Sequence, residues 1–184
     1  MSTVNGLPAH ILLNHFVVVL GPLTAILAIL CALWPAARRR LIWLVLLLAV
    51  VTLVLTPLTT NSGVWLRDKL GPSAASPAIK SHQELGETLI YMVAALATSV
   101  IVLAVVHIRQ TRGHAVKLAM HALVGLLVIV AAAATLVQSY RVGESGARAA
   151  WGTVASAQPL RPNWSATARR SSEPFAVCGS SLAT

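Results

Sequence analysis

Four runs of this chain are long and apolar enough to cross a bilayer, and that constrains the fold more than any other feature. A helix needs about 20 apolar residues to span the hydrocarbon core. The runs have their apolar hearts at 16–34, 41–58, 89–106 and 118–140. The first extends back to about Pro8, and the third has an amphipathic lead-in from about His82. Their apolar residues are continuous rather than alternating, and rich in Leu and Ala, which argues for helices over strands. Helices also satisfy their own backbone groups, as lipid demands. Only 10% of residues are charged, against about 25% in soluble domains. The expected fold is therefore all-α: an integral membrane four-helix bundle with spans at about 8–34, 41–58, 82–106 and 118–140. It forms one domain over 1–152. Beyond that point Ser, Ala, Pro and Arg lack apolar periodicity, and 153–184 reads as a disordered tail.

The formal net charge is +9. The basic residues sit in short clusters at the ends of apolar runs, so they read as orientation signals and not as a nucleic-acid surface. Arg38, Arg39 and Arg40 follow the first span, and Arg109, Arg112 and Lys117 follow the third. Positive short loops mark the cytoplasmic side. Both termini then face the outer, extracytoplasmic side of a bacterial inner (plasma) membrane, although Arg141 and Arg148 argue mildly the other way. Trp34, Trp43, Trp65 and Trp151 fall near the two rims, as an aromatic belt does. No basic leader or A-x-A site accompanies the first run, so it is expected to be a span and not a cleaved signal. Gly21-Pro22 predicts a kink within it. Residues 59–81 read as a surface loop, with one or two helical turns at 64–70. Cys31 and Cys178 belong to no zinc or thiol-redox motif.

Counting at 1.5 Å per residue outward from the Arg clusters puts His10 and His82 both about 40 Å up, and His15 and Glu87 both about 34 Å up. Tyr140 and Arg141 arrive at a similar level. Three imidazoles and two carboxylates thus converge on one outer rim, and ionisable residues in membrane segments are functional candidates. His10 and His15 stand about 140° apart around a helix. They are a poor metal pair on a single helix, so a site shared between helices is expected, as in bundle cofactor sites. A plainer reading makes HQELGE an ordinary helix start, with Ser81 as N-cap and Glu84 closing a capping box. His107, His114 and His121 lie among the inner basic residues, where headgroup contact accounts for them.

HILLNHF at 10–16 resembles the His-Pro-x-x-x-His-Phe-Pro opening of a bacterial four-helix membrane-protein family catalogued as a domain of unknown function. Its members are similar in carrying a histidine at the start of the third helix, here HQELGE. They also have a Gly-containing stretch after the fourth, here YRVGESGARAAWG. The resemblance covers about residues 6–152. Ile11 and Val17 stand where the family has prolines, which puts local helix-start geometry in doubt. Relatives fused to Rieske iron–sulfur domains imply electron transfer.

The leading expectation is a protein that binds haem b or a metal ion for membrane electron transfer. His10 and His82 are the preferred axial pair. His15 is a further candidate ligand or proton-handling group. Glu87, Glu84, Tyr140 and Arg141 are expected to support them. The alternative is a non-catalytic accessory or assembly subunit of a larger complex, respiratory-chain or other, packed through small-residue faces such as 131–134. No hydrolase, zincin, nucleotide or dinucleotide motif assigns catalytic residues, and whether the chain is an enzyme stays open. Mid-membrane carboxylates and inverted repeats are missing, which disfavours a transporter.

Overall fold

The computed structural model describes residues 3–4, 7–71 and 76–156. A short antiparallel pairing of β1 (Thr3–Val4) with β2 (Leu7–Pro8) precedes four helices: α1 (Ala9–Leu33), α2 (Pro35–Leu70), α3 (Pro77–Thr111) and α4 (Leu118–Ser156). All four are long and apolar enough to cross a membrane. The packed unit is Met1–Trp151. The expected disorder of the tail falls on residues that, beyond Ser156, lie outside those described.

The packing is that of a membrane bundle. Large apolar side chains point outward, Val19, Leu47 and Val130 among them. Small ones fill the interior: Ala25, Ala28, Cys31, Ala49, Ala97, Ala104 and Ala132. Lipid tails solvate Leu as well as a protein core does, so helix association rests on close backbone approach and interhelical hydrogen bonds. Both are present. Thr135 Oγ1 shares its proton between the Ala131 carbonyl of its own helix at 2.8 Å and the Met92 carbonyl at 3.2 Å, and Gln138 Nε2 donates to the Leu85 carbonyl at 2.8 Å, tying α4 to α3. Thr24 and Thr52 meet across α1 and α2 at 3.5 Å.

Each helix buries one stripe with a three- or four-residue step. On α2 it runs Arg38, Ile42, Val45, Ala49, Thr52, Thr56, Thr59. On α4 it runs Val124, Val128, Ala132, Thr135, Ser139, Val142, Ser145. On α3 it runs Leu89, Val93, Leu96, Val100, Leu103. These stripes explain where the helices differ from the sequence expectation. The expected loop at 59–81 is mostly helix, because α2 continues to Leu70 and α3 begins at Pro77. Helix α4 likewise continues sixteen residues past Tyr140, to Ser156. The inward stripe turns from apolar to Ser, Thr and Gly without losing its period, so the helices outlast their hydrophobicity. At 36, 35 and 39 residues, α2, α3 and α4 are each over 50 Å long at about 1.5 Å per residue. They project well beyond a hydrocarbon core of about 30 Å.

The link between the first two spans is also shorter than expected. Trp34 alone separates α1 from α2, and Pro35 occupies the first helical position, where its missing N–H costs nothing. Arg38, Arg39 and Arg40 therefore lie on α2. Pro22 is accommodated inside α1, and Pro57 inside α2. The N-cap of α3 is Ser76, whose side chain accepts from the Ile79 N–H, with Pro77 next. The capping box at Ser81 and Glu84 is thus corrected: Ser81 is already helical, and its hydroxyl donates to the Ala78 carbonyl.

Candidate functional site

The stripes of α1 and α3 end toward the chain termini in His10 and His82. His10 is the second residue of α1, and His82 lies in the second turn of α3. Both are half-buried. Their ring centroids are 6.4 Å apart, with the planes at 79°. The two helices bearing them hold them at one level, above a small apolar cluster of Val17, Leu89, Val93 and Val142. Val17 and Leu89 stand two turns below their respective histidines.

The other two helices supply the seats. A Cβ on Gly63 of α2 would lie 2.8 Å from His10 Cε1 and 3.0 Å from its Nδ1. A Cβ on Gly146 of α4 would lie 3.1 Å from His82 Cε1. Each imidazole therefore packs closely over a glycine, and a side chain at either position would make the ring shift. Each is also oriented by its Nδ1. His10 Nδ1 is 3.0 Å from the Thr59 carbonyl, which can only accept, so this nitrogen carries the proton. Ser62 Oγ donates to the same carbonyl at 2.8 Å and stands 3.5 Å from the ring. His82 Nδ1 is 3.0 Å from Ser145 Oγ. That hydroxyl gives its own proton to the Val142 carbonyl at 2.9 Å, so it accepts from the ring. In both histidines the lone pair is left on Nε2. These tautomers follow from the hydrogen-bond network.

The remaining sequence candidates are placed differently. His15 stands on the exposed side of α1, five residues on from His10. Glu84 is exposed. Glu87 accepts from Gln83 Nε2 at 2.9 Å, and Gln83 in turn accepts from Arg67 of α2, so Glu87 belongs to a surface chain linking α2 and α3. Tyr140 is 71% exposed. Arg141 lines a groove of about 400 Å³ between the start of α3 and the end of α4, with Pro77, Ser81, Leu85, Glu144 and Ser145. Glu144 there pairs with Arg148. Among the described residues, the groups that touch the rings include Thr59, Ser62 and Gly63 at His10, and Val142, Ser145 and Gly146 at His82. Sequence reasoning brought Tyr140 and Arg141 to this level, but no motif marks a backbone carbonyl or a glycine seat as a histidine's partner. Among the described residues, no three His, Cys, Asp or Glu gather as a metal group.

A family model described as a predicted membrane protein (DUF2231) matches residues 6–159. The chain belongs to the DUF2231 family. Every residue of the site described above lies inside the matched region. No curated protein and no solved structure matches the chain.

Proposed function

We propose that this DUF2231 protein binds haem b, or failing that a metal ion, between His10 and His82 and uses it for membrane electron transfer. The observation that carries the reading is the pair itself: two imidazoles from different helices, 6.4 Å apart, each donating through Nδ1 and keeping Nε2 as a base. A metal–imidazole bond is about 2 Å long. Two such bonds, plus the reach from ring centre to nitrogen on either side, would come to about the observed separation were both Nε2 atoms turned toward one ion. An Nδ1–H held by a carbonyl or hydroxyl is what orients and strengthens a metal-bound histidine. A porphyrin supplies four donors of its own, so two protein ligands suffice for haem. A bare ion asks for three or four, and the described residues offer two imidazoles.

The Arg-rich end is assigned to the cytoplasm of a bacterial inner membrane by the positive-inside rule. The histidine pair then lies at the outer face, where a partner in a respiratory or other membrane complex would exchange electrons with it. Absorption spectra and metal analysis of the purified full chain test the proposal. The expected result is a Soret band, or a bound metal near one per chain, lost in His10→Ala and in His82→Ala and kept in His15→Ala. A chain with neither haem nor metal would leave the accessory-subunit reading in its place.

A further inference from the structure

The buried stripes have a second end. Toward the Arg clusters, α1 closes with Cys31, α2 with Arg38, α3 with His107 and α4 with His121. Arg38 is only 6% exposed. It continues the step of Ile42, Val45 and Ala49, which is why it points into the bundle while Arg39 and Arg40 point out. Arg38, His107 and His121 each stand one helical turn from a member of the same buried apolar cluster, namely Ile42, Leu103 and Val124. Among the described residues the ion pairs are Arg67–Asp68 and Arg148–Glu144, and neither involves Arg38. The carboxylates of those residues, Asp68, Glu84, Glu87 and Glu144, all lie on the terminal ends of their helices. His121 adds a second unmatched donor. Its Nδ1 takes a hydrogen bond from Gln110 Nε2 at 3.4 Å, so its Nε2 carries the proton, and that nitrogen is buried with no partner.

We propose that Arg38, His107 and His121 form a phosphate-binding site at this end of the bundle. A buried guanidinium without an anion is costly, and its planar fork suits two phosphate oxygens at once. His121 Nε2–H, buried as the helices stand, becomes a third donor when its ring turns toward the phosphate. Trp34 and Trp43, each 60% exposed, flank Arg38 along the chain and mark headgroup depth. The phosphate is that of an anionic lipid headgroup or of a free phosphate ion.

The test uses the purified full chain in neutral detergent, with native mass spectrometry and thermal melting. Phosphatidylglycerol, phosphatidylcholine and inorganic phosphate are added separately. Phosphatidylglycerol is expected to bind and raise the melting temperature, with Arg38→Gln weakening it about tenfold or more, the loss of the charge-assisted fork. Arg40→Gln, on the exposed side, is expected to change it less than twofold. Arg38→Lys keeps the charge but not the fork, and is expected to fall between them. It also covers the case in which Arg38→Gln does not fold. Protection by inorganic phosphate alone identifies a free ion as the source, and protection by phosphatidylglycerol alone identifies the lipid. Equal losses in the Arg38 and Arg40 variants, or no binding of any probe, would overturn the site.

Discussion

The two ends of this bundle carry three histidines each, and His10 and His82 at one end are held in the opposite sense to His121 at the other. At the terminal end, His10 and His82 donate through Nδ1 to a carbonyl and a hydroxyl, and so keep a basic Nε2. At the Arg end, His121 accepts through Nδ1 from an amide, and so presents an Nε2 proton. One arrangement suits a ligand for a cation, the other a donor for an anion. The difference lies in what the first nitrogen meets, and that is set by the neighbouring helix. The surrounding charge follows the same division. All four carboxylates of the described residues are at the terminal end, while Arg38, Arg39, Arg40, Arg109, Arg112 and Lys117 face none at theirs. A histidine count alone would have called the ends equivalent.

The change expected to disturb the terminal end most is Gly63→Ala. Its Cβ would stand 2.8 Å from a ring carbon of His10, and a rigid helix backbone cannot retreat. The imidazole must move, losing its bond to the Thr59 carbonyl. Losing such an orienting bond costs about tenfold or more in metal affinity, while turning one ring off its preferred rotamer costs about 1 kcal/mol. The better helix propensity of Ala returns up to about 1 kcal/mol. Cofactor occupancy should therefore fall further than the melting temperature. A Gly63→Ala protein with undiminished occupancy would mean that His10 is not held as described.

A smaller and more selective effect is expected at the other end from Gln110→Glu. The amide that donates to His121 Nδ1 becomes a carboxylate that accepts from it, so the ring proton moves to Nδ1. The phosphate site loses its Nε2 donor and gains an internal anion. Thermal protection by phosphatidylglycerol should drop several-fold, while stability without lipid stays level or rises, as a charge-assisted bond of about 1.5–3 kcal/mol replaces a neutral one. Unchanged lipid protection would show that His121 and Gln110 play no part, and the contrast between the two ends would lose its second half.

Much of this was legible before any coordinates. Four apolar runs dictated four helices, and counting along them brought His10 level with His82, because rise per residue is nearly constant. Azimuth was harder. Glu84 lies near the level of the rings and Glu87 near that of His15, but neither shares the rings' side of α3, and the Gln83–Glu87 bond turns the second carboxylate to the surface. The seats at Gly63 and Gly146 lie on helical extensions that hydropathy does not reveal, since the inward stripe there is Ser, Thr and Gly. Arg38 hid for the opposite reason. In a triplet of arginines at a span end each residue looks like an orientation signal, and only the register set by Ile42 and Val45 separates the first from the other two.

The weakest effect is expected from Glu144→Gln, and it tests whether charge in itself matters at the terminal end. Glu144 and Arg148 are one helical turn apart on α4, and their side chains are 43% and 73% exposed. Such a pair on a helix surface contributes about 0.3–0.5 kcal/mol, less in salt. Glutamine keeps the length and the hydrogen-bonding oxygen, so the melting temperature should shift by less than the scatter of a membrane-protein melt, and cofactor occupancy should not change. The groove beside Ser145 would become more positive, since Arg141 and Arg148 both line it. If occupancy nevertheless fell as far as in Gly63→Ala, the carboxylate would be acting on His82 through Ser145, and the terminal end would depend on charge as much as the Arg end does.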